Sequence, residues 1–132
     1  MPYAGWAYPG APAPGPIEHG ANCQRYAYAV LELFGIRLPA LRSSDLWADT
    51  VYTDRVIGPP RPLDLWLFNR SAEAYGAHVG VWLAEGQILH LCRAVGRPVV
   101  WAPDDFAREP WYRALVGAKR PNHPAEVTES PC

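Results

Sequence analysis

His78-Val79-Gly80-Val81-Trp82-Leu83-Ala84-Glu85-Gly86-Gln87-Ile88-Leu89-His90-Leu91-Cys92 is the stretch that decides the fold. Two β-rich runs, His78–Leu83 and Ile88–Cys92, flank a turn signal at Ala84-Glu85-Gly86, which is the pattern of a β-hairpin. Side chains alternate faces along a strand, so His78, Gly80 and Trp82 share one face and Val79, Val81 and Leu83 the other. His90 and Cys92 share a face of the second strand. With a three-residue loop, Gly80 lies opposite His90, and His78 becomes the diagonal neighbour of His90 on the same face. A two-residue turn would slip the register by one and part the histidines. Two imidazoles on one sheet face suit a base and the partner that fixes its tautomer. Two satisfied structural histidines are the plainer alternative.

Outward from the hairpin, short apolar runs at Leu63–Phe68, Pro98–Trp101 and Leu115–Lys119 add strands. A helical turn is expected between Asp104 and Tyr112, and 50–62, with Gly58-Pro59-Pro60, reads as loop. Upstream, Tyr26, Ala27, Val30, Leu31 and Phe34 form a stripe at helical spacing. Asn22 stands ready to cap that helix, and Gly35 and Pro39 end it. A second short helix starts at Ser43 or Ser44 and runs through Trp47. Helices first and an antiparallel sheet after is the α+β class, here with about five strands. Residues 1–21 form a Pro/Gly-rich arm whose Tyr3, Trp6 and Tyr8 pack at least its first part on the body. Residues 22–120 form the domain, and 121–132 a frayed tail.

Cys23 occupies the first turn of the first helix. Unpaired backbone N–H groups and the helix dipole favour an anion there, which lowers a thiol pKa and yields the reactive thiolate. On its own, the default for such a cysteine is a buried, inert core residue. Cys92 reads as core and Cys132 as incidental, while His19 and His123 are expected in solvent. Asp104-Asp105 reads as a loop or helix cap rather than a metal site, since no third ligand is evident.

Composition narrows the classes. A formal net charge of −1 offers no basic face for nucleic acid and no polybasic run for a membrane. The three cysteines lack close pairs, so neither a disulfide framework nor zinc is expected, and no cofactor is implied. Six tryptophans and seven tyrosines fill the core by default, with a substrate groove as the other use. No secretory signal opens the sequence, so the expected location is the cytoplasm, or outside the cell if the sequence is a trimmed piece.

Taken together, these residues resemble the NlpC family of papain-like cysteine peptidases, which act on bacterial cell-wall peptides. The resemblance covers roughly residues 3–120. It is carried by the arm Tyr3-Ala4-Gly5-Trp6-Ala7-Tyr8, by Gly20-Ala21-Asn22-Cys23-Gln24-Arg25-Tyr26, and by the helix exit Phe34-Gly35-Ile36-Arg37-Leu38-Pro39. Leu63-Asp64-Leu65, His78-Val79-Gly80, His90 twelve residues on, and Leu115–Arg120 complete it. It implies Cys23 as nucleophile, His78 as general base and His90 as its orienting partner, acting on an amide of a peptide or small molecule. Tyr8 matches the arm tyrosine near the oxyanion, and the Cys23 N–H would be an oxyanion donor. Asn22 replaces the family aspartate that helps hold a substrate ammonium, and Gln24-Arg25 replace Ser-Gly; Arg25 would favour a carboxylate instead. Acyl transfer from the same thioester, or a binding module that kept the fold, are the alternatives.

Overall fold

The computed structural model describes residues 2–11 and 20–122. The expectations for His19, His123, Cys132 and most of the tail lie outside these residues. Helix α1 spans Cys23–Glu32 and α2 Ser43–Ala48; strands follow at β1 Thr53–Arg55, β2 Leu65–Asn69, β3 His78–Ala84, β4 Gln87–Leu91 and β5 Pro98–Trp101; then come α3, Pro103–Ala107, and β6, Ala114–Pro121. The order β1-β6-β2-β3-β4-β5 makes one six-stranded sheet, antiparallel throughout. No helix among the described residues is long and apolar enough to cross a membrane.

The fold is α+β, with the N-terminal helices packed on the sheet and one strand more than expected. The extra strand, β1, lies in 50–62, which reads as loop from sequence. Three residues with one buried position carry no periodicity of their own. Pairing with β6 makes them a strand, and that pairing also extends β6 to Pro121. Asn122 continues the order, donating its N–H to the Tyr52 carbonyl and its side-chain amide to that of Val51, so the tail does not begin at 121.

The two faces of the sheet bury different things. Ala27, Val30 and Leu31 of α1 pack with Leu46 on Leu65, Leu67, Val79 and Val81. On the other face Phe68, Trp82 and Phe106 form a largely aromatic cluster with Ile88, edged by Trp66, Trp101 and Tyr112. Gly35 adopts a left-handed φ of 81°, which ends α1 and turns Ile36 back to donate to the Leu31 carbonyl.

The hairpin solves its register in a way the sequence left open. Ala84 pairs with Gln87, so the turn proper is only Glu85-Gly86, yet Trp82 pairs with Ile88. An irregularity between Trp82 and Ala84 absorbs the extra residue, and Gly86 takes a φ of 70°. The two-residue turn therefore keeps the three-residue register, and the histidines stay on one face.

Candidate active site

Asn22 caps α1: its Oδ1 accepts from the Arg25 N–H at 2.8 Å, with the Asn22 backbone extended. Cys23 is the first helical residue and is buried. The arm is laced in beside it. Tyr3 donates to the Gly96 carbonyl at 2.9 Å, Ala4 to Ala21 at 2.8 Å and Asn22 to Ala7 at 3.0 Å. A parallel bridge joins Tyr3 and Ala21. The arm thus spans from the helix start to the loop after β4.

His78 opens β3 and His90 lies in β4, both buried. His78 Nε2 and His90 Nδ1 are 2.9 Å apart, with the rings near perpendicular. Gly80 makes this approach possible. A Cβ there would stand 2.7 Å from Ile88 Cγ2 and 3.4 Å from the His90 Cβ. The pair sits in an aromatic box: Tyr112 stacks on His78 at 4.4 Å, while Trp101 and Phe106 lie 4.4 and 4.6 Å from His90. The expected turn between Asp104 and Tyr112 is α3, and it delivers Phe106. Asp105 accepts from the Ala102 N–H there, a cap as the sequence suggested.

A cleft of about 440 Å³ brings Cys23 and His78 to one surface. Tyr3, Tyr112 and Trp111 line it with them, and Arg93 and Glu109 supply its charges. Tyr8 is not among its lining residues. The Tyr8 ring instead carries the Arg42 guanidinium, 4.0 Å above its centre, so Tyr3 is the arm tyrosine at the cleft. Gln24 is buried, and its Nε2 donates to the Leu41 carbonyl at 2.9 Å, which makes it a structural tie. Arg25 lines a separate groove with Pro9 and Glu32. Asn22 spends its side-chain oxygen on the cap. None of the residues expected to recognise substrate therefore lines this cleft. Arg93, Glu109 and Tyr112 went unrecognised because they lie in loops, where no periodicity marks them. Charged loop residues following a strand that carries a candidate base were the available signal.

Cys23 departs from the expectation of a lowered thiol pKa. Burial pushes it up to about 11, outweighing the backbone N–H groups of Val79, Gln24 and Cys23 itself and the Arg42 charge. Burial first, and then the His90 charge, hold His78 well below the ordinary histidine value. Burial brings His90 to about 4, against a smaller upward pull from Asp105. At neutral pH the site is a neutral thiol beside two neutral imidazoles.

The tautomers follow. His78 has one nitrogen committed to His90, which leaves Nδ1 as its only free base. Nδ1 has a lone pair only when Nε2 carries the proton and donates it to His90 Nδ1. The His90 proton then sits on Nε2, which is buried and without a hydrogen-bond partner among the described residues. An orphaned buried donor costs about 1–3 kcal/mol. The aromatic faces around it offset part of that.

No family model matches this chain, and no curated protein is similar to it in sequence. Among solved structures, its fold is similar to that of an NlpC/P60 family protein from Bacillus cereus ATCC 10987, with a TM-score of 0.57 and 19% identity. The match covers 76% of this chain and 32% of that one, so the chain spans about a third of that protein's length. The likeness is one of fold: this is an α+β domain of the papain-like type, in an arrangement similar to that of an NlpC/P60 family protein.

Proposed function

We propose that the chain is a cysteine hydrolase that cleaves an amide bond in a peptidoglycan-type peptide. One observation carries the reading. Cys23, at a helix N-terminus, shares a cleft with His78, whose far nitrogen is held by His90 at 2.9 Å. Cys23 Sγ attacks the carbonyl carbon as its proton passes to His78 Nδ1. The tetrahedral oxyanion is met by the Cys23 backbone N–H. The C–N bond breaks as His78 returns the proton to the leaving amine, leaving a thioester that water then hydrolyses. Because the resting thiol is protonated, proton transfer accompanies attack instead of preceding it. His90 keeps the His78 proton on Nε2, which is what makes Nδ1 basic.

The buried, raised thiol of Cys23 favours one rival, a binding module that kept the fold. Iodoacetamide labelling of Cys23, read by peptide mapping at neutral pH, separates the two. A hydrolase labels rapidly and loses that rate in His78→Ala. A rate the same in both proteins, and no faster than unfolded cysteine would predict from its thiolate fraction, removes the catalytic reading. Incubation with muropeptide mixtures, followed by mass spectrometry, then tests the substrate: products must depend on Cys23.

A further inference from the structure

The cleft holds two opposite charges that nothing among the described residues engages. Arg93 starts the loop after β4 and is exposed, and Glu109 lies between α3 and β6, half-buried. Both line the cleft with Cys23 and His78. Among the described residues the ion pairs are Arg108–Asp105 and Arg120–Asp64, so Arg93 and Glu109 pair neither with other groups nor with each other. Nor does either side chain make a hydrogen bond among these residues. Their fields fall on different walls: the Arg93 charge acts on the Tyr3 hydroxyl and the Glu109 charge on that of Tyr112.

Elsewhere in the molecule the fully buried charged groups, Asp64 and Lys119, are engaged. Asp64 receives two bonds from Arg120, and Lys119 donates to two carbonyls. At the helix start Asn22 offers no negative charge for an ammonium, being neutral with its oxygen used by the cap. A polyanion would meet Glu109, and a polycation would meet Arg93. A molecule that satisfies both carries one charge of each sign and fits about 440 Å³. We propose that the cleft takes a small zwitterionic amide, a short peptide with a free carboxylate and a free ammonium, Arg93 binding the first and Glu109 the second. That such a molecule is a substrate rests on the hydrolase reading; that it binds does not.

The test is protection of Cys23 from iodoacetamide by three dipeptides: alanyl-alanine, its N-acetyl form and its C-terminal amide. The free dipeptide is expected to protect at concentrations about threefold lower than either blocked form, the scale of an exposed ion pair. Arg93→Gln should make the free acid and the amide equal. Glu109→Gln should make the free and acetylated forms equal. Equal protection by all three in the wild type, or none by any, overturns the proposal. Differential protection combined with a Cys23 rate indifferent to His78→Ala sustains zwitterion binding and discards the hydrolase. Rapid, His78-dependent labelling with no charge preference does the reverse.

Discussion

The two ends of the sheet bury polar groups on opposite terms. At the β1–β6–β2 end the buried charges are satisfied, and the Trp66 indole Nε1 is the one buried polar side-chain atom of its strands without a partner among the described residues. Asp64, fully buried, accepts from Arg120 Nε and Nη2, each at 2.8 Å, and from the Arg61 N–H. Lys119 lays its ammonium on the carbonyls of Trp47 and Asp49. At the β3–β4 end, His90 Nε2 has no partner among the described residues, the Cys23 thiol is desolvated, and the cleft charges stand unengaged. Satisfied polar groups hold a structure together. Groups left short of partners cost stability and are kept where a reacting molecule supplies what is missing.

The contrast can be broken by mutation, and the largest effect belongs to the cleft. His78→Ala should lower Cys23 alkylation at neutral pH by about 100-fold or more per folded molecule, the value of a positioned base. It should also lower the thermal midpoint, since the ring is buried against Tyr112 and bonded to His90. At the far end stability should change without reactivity. Arg120→Met leaves Asp64 buried without its cation and should cost about 3 kcal/mol, seen as a lower denaturant midpoint at unchanged slope. Cys23 reactivity per folded molecule should stay as it was. A reactive-site change in that variant would join the two ends into one unit.

Acid sharpens the same comparison. The folded His90 titrates at about 4, below the ordinary 6.5, so between these values the unfolded chain binds more protons. Its contribution, about 3 kcal/mol, is complete above pH 6.5 and is lost as pH falls through 4. His78 acts in the same direction. Cys23, raised from 9 to about 11, is complete below 9 and lost as pH rises to 11. Denaturant midpoints measured from pH 4 to 11 should therefore peak between about 6.5 and 9. His90→Phe should flatten the acid limb.

Smaller effects follow from packing. Gly80→Ala should cost about 1–3 kcal/mol, because the new methyl meets Ile88 and presses on His90. Tyr112→Leu removes the ring stacked on His78, which steadies the imidazolium formed during proton transfer. The expected loss is about fivefold in Cys23 alkylation with a shifted pH profile, restored in Tyr112→Phe. A profile unmoved in Tyr112→Leu would reduce that contact to filler.

Local pattern made much of the fold legible. Ala27, Val30 and Leu31 of the α1 stripe, its Asn22 cap and the Pro98–Trp101 strand sit as their residues predict, because each depends on neighbours in sequence, whereas Phe34 falls past the end of α1 and is exposed. The missed β1 has no internal signal and exists through β6. Of the candidate site, Cys23, His78 and His90 were visible from spacing and resemblance. Tyr3 lost out to Tyr8 because only the bridge to Ala21 shows which arm tyrosine reaches the cleft.

By itself the sequence determined the helix that begins at Cys23, the α+β class and the hairpin that brings the two histidines onto neighbouring strands. Periodicity and capping act over a few residues and are written in the chain. Tertiary structure alone decided that a bulge would rescue the hairpin register and that burial would overrule the helix dipole at Cys23. It also decided that Arg93 and Glu109 would face one cleft with no partners among the described residues. Those outcomes depend on what surrounds each group in space, since desolvation and pairing are set by neighbours distant along the chain.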